Sequence, residues 1–214
     1  MNYNKKTIIQ ALIVAFFIIT GAIVFTVFFK PLYYYCVDAF SIDVLTGIDR
    51  NVIIENYNIL IQYQSMFYFG ALELPDFVMS SGGEIHFEEV KNLFIVIQLV
   101  CIVTGILAIR FIYKAIKTGE ILFLKLASKL SIIIPVVLGG VCMIDFDKAF
   151  IIFHKIFFRN DYWIFDATTD PIITILPQDF FMYGFICIVT LILCGSGLCF
   201  LAYKRQEKVI LTSE

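Results

Sequence analysis

The chain has 214 residues, of which 60% are hydrophobic and 16% are charged, and its mean hydropathy is +0.90. These values lie outside the range of soluble globular proteins, so they exclude a water-soluble enzyme or binding module. With a formal net charge of −2 and no basic patch, the sequence also excludes a typical nucleic-acid-binding protein. We therefore predict an all-α integral membrane protein.

Four apolar runs are long enough to be membrane spans. The first, residues 7–29, has no charged side chain over 23 residues. A helix of that length reaches roughly 34 Å, which exceeds a hydrocarbon core of about 30 Å. The other three runs are approximately residues 93–112, 126–144 and 180–203. The sequence therefore predicts a four-transmembrane-helix bundle that forms one membrane domain, residues 1–214.

The distribution of basic residues predicts the orientation of the spans. With a cytoplasmic N-terminus, the inner segments hold ten basic and three acidic residues, whereas the outer segments hold six basic and fifteen acidic residues. Cytoplasmic loops carry the excess of Lys and Arg in membrane proteins. We therefore expect both termini in the cytoplasm and residues 30–92 and 145–179 on the extracytoplasmic side.

Helical patterns in both outer segments predict extracytoplasmic helical caps. Asp49 is a candidate N-cap for a helix whose apolar residues, from Ile53 to Leu60, fall mostly on one face. In the second outer segment, the spacing of four phenylalanines predicts another helix: Phe146, Phe150, Phe153 and Phe157. Asp170 and Pro171 predict a further helix start, because Pro favours the first helical position.

The chain has only two histidines, and both fall in the outer segments. His86 follows a predicted turn at residues 80–83 and shares a helical face with Glu89, which can therefore accept the ring N–H. His154 is expected beside the phenylalanine pattern rather than in solvent. Either histidine can simply anchor a helix end at the lipid headgroups, but both together on one side of the membrane are candidate catalytic residues.

Three classes of function remain open from the residues alone. The first is an enzyme of unknown reaction at the outer membrane interface, and the second is a non-enzymatic scaffold or sensor. The third is a metal-dependent lipid or peptide hydrolase, in which His86, His154 and a carboxylate such as Asp145 or Asp147 hold the ion. A His-x-x-x-His spacing is missing, which disfavours this third class. The scarcity of ionisable groups in the spans disfavours a transporter.

Two motifs resemble those of the lipoprotein intramolecular transacylases, a family of four-span bacterial membrane proteins. The first motif is residues 80–94, SSGGEIHFEEVKNLF, before the second span. The second is residues 153–158, FHKIFF, followed by residues 163–166, WIFD, and then by Asp170 and the pair Leu176-Pro177. Together with their spacing and the four-span plan, these motifs cover essentially the whole chain.

The resemblance implies an intramolecular O-to-N acyltransferase of the cell envelope of Gram-positive bacteria. In this reaction the sn-2 acyl chain of a diacylglyceryl-modified N-terminal cysteine moves to the α-amino group of the same cysteine, leaving a lyso-form lipoprotein. The expected partners are diacylglyceryl-modified lipoproteins and membrane lipids. The implied location is the bacterial cell membrane, with the active site toward the extracytoplasmic face. We expect no cofactor, no metal ion and no nucleic-acid partner.

The resemblance also implies roles for individual residues. We expect His86 to take a proton from the attacking amine, and His154 to protonate the departing glyceryl oxygen or to polarise the carbonyl. The residues expected to support catalysis or bind substrate are Glu89, Lys91, Asn92, Trp163 and Asp166. Among them, Lys91, Asn92 and the ring N–H of Trp163 are candidate oxyanion donors.

Overall fold

The computed structural model describes residues 3–212, except for the side chains at 134, 138, 141–143 and 210–212. Every regular element in this part of the chain is helical, as predicted. A short 3₁₀ helix, Pro171–Ile175, precedes the last α-helix. The α-helices are α1 (Lys5–Phe28), α2 (Lys30–Ala39), α3 (Ile42–Thr46), α4 (Arg50–Tyr63), α5 (Ser81–Thr118), α6 (Leu122–Ile144), α7 (Phe146–Phe157) and α8 (Gln178–Thr212).

Three helices in the described residues, α1, α5 and α8, are long and apolar enough to cross a membrane. They contain the first, second and fourth predicted spans. The third predicted span falls in α6, which has 23 residues, and its membrane crossing stays a prediction. Helix α5 has 38 residues, or roughly 57 Å, so it extends well beyond the hydrocarbon core. Because its apolar run begins at Leu93, the first turns of α5, which include His86, lie outside the spanning segment.

The chain divides into two compact units. Unit 1 comprises the chain up to Val24, Ile97–Val141 and the chain from Cys187 onward. Unit 2 comprises Phe25–Val96 and Cys142–Ile186, so it contains both histidines. That the whole chain forms a single membrane domain stays a prediction.

Small side chains occupy much of the core of unit 1. Ala11, Ala108 and Ala127 are buried there. Small residues let helix backbones approach closely, which favours helix association in lipid. The side-chain oxygen of Ser196 in α8 also donates a 2.6 Å hydrogen bond to the backbone oxygen of Ser128 in α6. Close packing and hydrogen bonding between helices therefore stabilise this unit.

Stacked aromatic rings form the centre of unit 2. The rings of Tyr33 in α2 and Tyr57 in α4 are nearly parallel, with centroids 3.6 Å apart, and Phe180 packs edge-on against both. The hydroxyl of Tyr33 donates a 2.7 Å hydrogen bond to the backbone oxygen of Ile175. Buried aromatic rings remove large apolar areas from water, so this stack fixes α2, α4 and the 3₁₀ helix together.

The two helices predicted in the outer segments are present. Helix α4 begins after Asp49, whose carboxylate accepts a 2.8 Å hydrogen bond from the backbone N–H of Asn51. Helix α7 begins after Asp145, whose carboxylate accepts a 3.0 Å hydrogen bond from the backbone N–H of Lys148. Each cap satisfies a backbone donor that the helix itself leaves free.

The predicted turn at residues 80–83 is wrong, because α5 begins at Ser81 and includes both glycines. The hydroxyl oxygen of Ser80 accepts a hydrogen bond from the backbone N–H of Gly83, which stabilises the first turn. The backbone N–H of Ser80 donates a 2.8 Å hydrogen bond to the buried carboxylate of Asp170. Asp170 precedes the 3₁₀ helix as expected, but its side chain does not cap that helix. Instead it fixes the start of the helix that carries His86.

Substitution of Gly83 by alanine is expected to destabilise the protein. An added Cβ would lie 2.3 Å from an oxygen of the Asp170 carboxylate and 3.0 Å from the Cγ of Met79. This overpacking outweighs the gain in helix propensity, for a net loss on the order of 1–2 kcal/mol. Thermal unfolding in detergent measures the effect. The control is Gly184→Ala in α8, where a Cβ would meet no atom within 4 Å. Equal unfolding midpoints for the two variants would contradict this account.

Candidate active site

His86 and His154 lie next to each other in unit 2. His86 is in the second turn of α5 and His154 in the third turn of α7, and their ring centroids are 6.0 Å apart. Both residues are buried, with exposed fractions of 6% and 9%. Phe153 and Phe157, from the predicted phenylalanine pattern of α7, are exposed instead. The structure therefore brings together the two residues predicted to be catalytic.

Aromatic rings surround the two imidazoles. The ring centroid of Phe158 is 4.8 Å from that of His86 and 5.7 Å from that of His154. Phe165 packs edge-on against His86 at 5.4 Å, and Trp163 stacks on His154 at 4.8 Å. Only Trp163 was among the predicted site residues. Phe158 and Phe165 both lie in the second sequence motif, but neither was predicted as a site residue, because phenylalanine is common throughout this sequence.

A backbone carbonyl fixes the tautomer of His154. Its Nδ1 lies 2.7 Å from the backbone oxygen of Phe150. Because a carbonyl oxygen only accepts hydrogen bonds, we assign the proton to Nδ1. In the neutral ring, Nε2 of His154 then carries the lone pair. This nitrogen is the one that can accept a proton from a substrate.

Burial keeps both histidines neutral near pH 7. Two causes lower the pKa of His86 to about 4: burial is the larger one, and the nearby His154 is the smaller one. Burial also lowers the pKa of His154, while the hydrogen bond to the Phe150 carbonyl partly opposes this shift. His154 therefore has a hydrogen bond that supports its protonation, whereas Nδ1 of His86 is buried and has no hydrogen-bond partner.

The predicted hydrogen bond between His86 and Glu89 does not form. Glu89 lies one turn after His86 in α5, but its Oε1 accepts a 2.8 Å hydrogen bond from Nδ2 of Asn160. Its Oε2 is buried without a hydrogen-bond partner. The hydrogen-bond partner of Glu89 is thus a neutral amide from the segment after α7, and the imidazole of His86 packs against aromatic rings instead.

Asn160 is a site residue that the sequence did not reveal. Besides the bond to Glu89, its backbone oxygen accepts a 3.0 Å hydrogen bond from the ring N–H of Trp163, and its Oδ1 accepts one from the backbone N–H of Tyr162. These bonds hold Trp163 against His154 and connect the turn after α7 to α5. In the sequence, Asn160 and Asp161 indicate only a turn, and such a pair does not point to a catalytic role.

A cavity of about 360 Å³ opens beside the histidines. Four of its lining residues lie on one face of α5, at intervals of three, one and three residues, and two lie at the end of α7. Its lining residues are Glu89, Asn92, Leu93, Val96, Phe157 and Phe158. The cavity is polar at Glu89 and Asn92 and apolar at the other residues. Neither histidine lines the cavity, but Phe158, which does, packs against both imidazoles.

The remaining predicted site residues have other contacts. Nζ of Lys91 donates a 2.9 Å hydrogen bond to the backbone oxygen of Tyr68 and lies 4.1 Å from the ring centroid of Tyr63. The carboxylate of Asp166 accepts hydrogen bonds from the backbone and hydroxyl of Thr168. The ring N–H of Trp163 is engaged with Asn160. Their roles in substrate binding stay predictions.

Comparisons with known proteins support one family. The sequence profile described as "Lipoprotein intramolecular transacylase Lit" matches residues 8–181. A structure of the membrane integral lipoprotein intramolecular transacylase Lit from Bacillus cereus is 40% identical, with 96% of each chain covered and a TM-score of 0.93. Two structures of the same Bacillus cereus protein, with a histidine changed to arginine or alanine, are each 39% identical, with a TM-score of 0.87. They cover 97% and 96% of this chain, and 93% and 94% of their own.

No curated protein matches the sequence. The family profile nevertheless spans most of the chain, and the solved relatives share its fold over almost their whole length. The resemblance indicated by the two sequence motifs is therefore confirmed. On this evidence, the chain belongs to the lipoprotein intramolecular transacylase family of membrane enzymes.

Proposed function

We propose that this transacylase moves the sn-2 acyl chain of a diacylglyceryl-cysteine lipoprotein to the α-amino group of the same N-terminal cysteine. The product is the lyso-form lipoprotein. The observation that carries the proposal is the pair of buried histidines, 6.0 Å apart, which pack on Phe158, a residue that also lines a cavity with both polar and apolar side chains. Such a cavity suits a substrate that has an amine and an ester at one end and a long acyl chain at the other.

The reaction needs no nucleophile from the enzyme. Amine and ester belong to one substrate, so holding them in an attack geometry supplies much of the rate enhancement. The aromatic rings of Phe158, Phe165 and Trp163 around the imidazoles also exclude water. Exclusion of water favours transfer to the amine over hydrolysis of the ester.

The hydrogen bond to Phe150 favours His154 as the general base. Its Nε2 takes a proton from the substrate amine as nitrogen attacks the ester carbonyl, and the resulting imidazolium keeps its Nδ1–H bond to the carbonyl of Phe150. The same Nε2 then returns the proton to the glyceryl oxygen as the carbon–oxygen bond breaks. This assignment reverses the roles that the sequence favoured for the two histidines.

His86 is then the donor to the carbonyl oxygen. Its Nδ1 is buried without a partner, which favours the tautomer with the proton on Nε2. A neutral imidazole donates that N–H to the oxyanion that develops during attack, without losing a proton. Its low pKa, about 4, keeps the ring in this neutral form. Asn92, at the polar end of the cavity, is a second candidate donor.

We also propose that the site faces the extracytoplasmic side of a bacterial membrane, where lipoproteins carry their lipid. The proposal includes α6 as the fourth membrane span and both termini in the cytoplasm. The charge distribution supports it, because ten of the 16 Lys and Arg residues lie in the segments assigned to the cytoplasm.

Family membership favours the transacylase over the scaffold or sensor, and the contacts disfavour the hydrolase. Asp145 pairs with Lys148 at 2.8 Å, and Asp147 accepts a 2.6 Å hydrogen bond from Gln178. In the described part of the chain, no group of three or more His, Cys, Asp or Glu residues is arranged to hold a metal ion. The transfer reaction therefore explains the histidine pair best.

Substitution of His154 by asparagine is expected to abolish most of the activity without unfolding the protein. The amide nitrogen of asparagine can still donate to the carbonyl of Phe150, but the variant has no basic nitrogen in the place of Nε2. A general base typically contributes 10²–10⁴-fold to the rate, so a loss of about that size is expected. Mass spectrometry of the N-terminal peptide of a lipoprotein measures N-acylated lyso product.

Substitution of His86 by alanine tests the other role, with an expected loss of roughly 10²–10³-fold, the usual effect of removing an oxyanion donor. The exposed Lys155, which follows His154, supplies a control: Lys155→Ala is expected to keep wild-type activity. Wild-type amounts of product from either histidine variant would refute the proposed roles.

The neutral state of His86 predicts how stability depends on pH. A folded-state pKa of about 4, below the unfolded value of about 6.5, means that the unfolded chain binds more protons between these values. The contribution of neutral His86 to the free energy of unfolding is therefore fully present above pH 6.5. It is lost as the pH falls through 4, by an amount on the order of 2 kcal/mol. Unfolding midpoints of the wild type and His86→Gln at pH 7 and pH 4 measure it. A variant as acid-sensitive as the wild type would contradict the prediction.

A further inference from the structure

Glu89 is a carboxylate without a positive partner. None of the ion pairs found among the described residues includes it: they join Lys6 with Glu120, Arg50 with Asp38, Lys148 with Asp145, and Lys204 with Glu207. Its one hydrogen bond comes from the neutral amide of Asn160, and its second oxygen is buried without a partner. Burying a carboxylate is costly unless a charge or further hydrogen bonds compensate it.

The neighbouring basic groups do not compensate this charge. Lys91 is two residues away on a different face of α5, where it binds the backbone oxygen of Tyr68 and lies over the ring of Tyr63. His86 and His154 are kept neutral by burial. Among the described residues no basic side chain forms an ion pair with Glu89, so its carboxylate is available to a positively charged ligand.

Glu89 also lines the cavity. Asn92 and the apolar residues Leu93 and Val96, which follow Glu89 on the same face of α5, line it as well. A molecule that fills this cavity has a polar, positively charged head and an apolar tail. The proposed substrate has both features: its α-amino group, with a pKa near 8, is mainly an ammonium at neutral pH, and its acyl chain is apolar.

We infer that Glu89, held by Asn160, is the site that recognises the α-ammonium group of the lipoprotein N-terminus. This inference rests on the proposed function and names the residue that selects a free amine. Glu89 binds the ammonium on entry. The ammonium then releases one proton to bulk water to give the attacking amine, and His154 takes a second proton and passes it to the glyceryl oxygen, which leaves one N–H on the amide product. Glu89 is thus a binding and positioning residue, and it exchanges no proton with the substrate.

The consequence is a preference for lipopeptides with a free, positively charged N-terminus. An N-acylated lipopeptide carries no such charge, so the lyso product loses the contact with Glu89 as soon as its amide forms. Product release is therefore favoured by the same carboxylate that selects the substrate. A charge-assisted hydrogen bond of this kind typically changes affinity by about tenfold or more.

Binding of non-transferable ligands tests the inference. Three dialkylglyceryl-cysteine peptides, with ether links in place of the esters, carry a free amine, an N-methyl amine or an N-acetyl group. Isothermal titration calorimetry with the full-length protein in detergent gives their dissociation constants. The wild type is expected to bind the free and N-methyl amines about tenfold more tightly than the N-acetyl peptide. The N-methyl peptide keeps the charge and adds bulk, so it separates charge from size.

Glu89→Gln is expected to remove this preference, because glutamine keeps the length of the side chain and an oxygen for the Asn160 bond but lacks the charge. Glu89→Met is a second uncharged variant of similar length. The matched control is Glu88→Gln, which removes an exposed carboxylate one residue away and is expected to keep the wild-type preference. A Glu89 variant that still prefers the charged peptides, or a wild type without any preference, would overturn the inference.

Acyl transfer is measured separately, with the ester-linked peptide and the same protein preparations. If the wild type forms N-acylated lyso product while Glu89→Gln keeps its preference for the charged peptides, the recognition role fails and the proposed function stands. If the preference depends on Glu89 but no product forms, the proposed function fails and the recognition role stands.

Discussion

Mutual burial of two imidazole rings among aromatic side chains is the constraint on which the rest of this site depends. A ring that is 6% or 9% exposed is poorly solvated as a cation, so both histidines are neutral and each can use a lone pair or an N–H in the reaction. The carbonyl of Phe150 makes the two rings unequal, since it holds the Nδ1 proton of His154 and stabilises the imidazolium that forms when Nε2 accepts another. His86 has no such partner. The same low-dielectric surroundings thus support the different roles proposed for these two identical side chains.

The aromatic surroundings of the two imidazoles also explain why the Glu89 carboxylate does not contact either ring. A carboxylate in contact with either ring would raise the pKa of that histidine and so favour its protonated form. Glu89 instead bonds to Asn160, which also holds Trp163 against His154. In this arrangement the Glu89 carboxylate lines the cavity together with Asn92 and forms no hydrogen bond with either imidazole. The deeply buried Asp170 has a structural role, because it binds the backbone at the start of α5 and so fixes the turn that carries His86.

The sequence predicted much of the fold because its signals are local. Apolar runs predict helices that can span a membrane, Asp49 predicts the start of α4 through its own cap, and the phenylalanine spacing predicts α7. The scarcity of histidine makes His86 and His154 easy to select. The motif resemblance predicted the family. The sequence did not predict that the glycines at 82 and 83 are helical, because a distant carboxylate and the hydroxyl of Ser80 stabilise that turn. It also paired Glu89 with His86, whereas Asn160, which lies far along the chain, is the actual partner. The contacts of Asp170 and Asn160 depend on packing between distant segments, and no local pattern encodes them.

The protonation state of the two imidazoles tests the central claim most directly. Because the chain has only two histidines, protein labelled with ¹⁵N in histidine gives few signals, and a His86→Gln variant assigns them. The ¹⁵N chemical shifts of detergent-solubilised protein at pH 7 distinguish the two neutral tautomers from imidazolium. The account predicts that both rings are neutral and that His154 carries its proton on Nδ1. An imidazolium at either position at pH 7, or a proton on Nε2 of neutral His154, would contradict it.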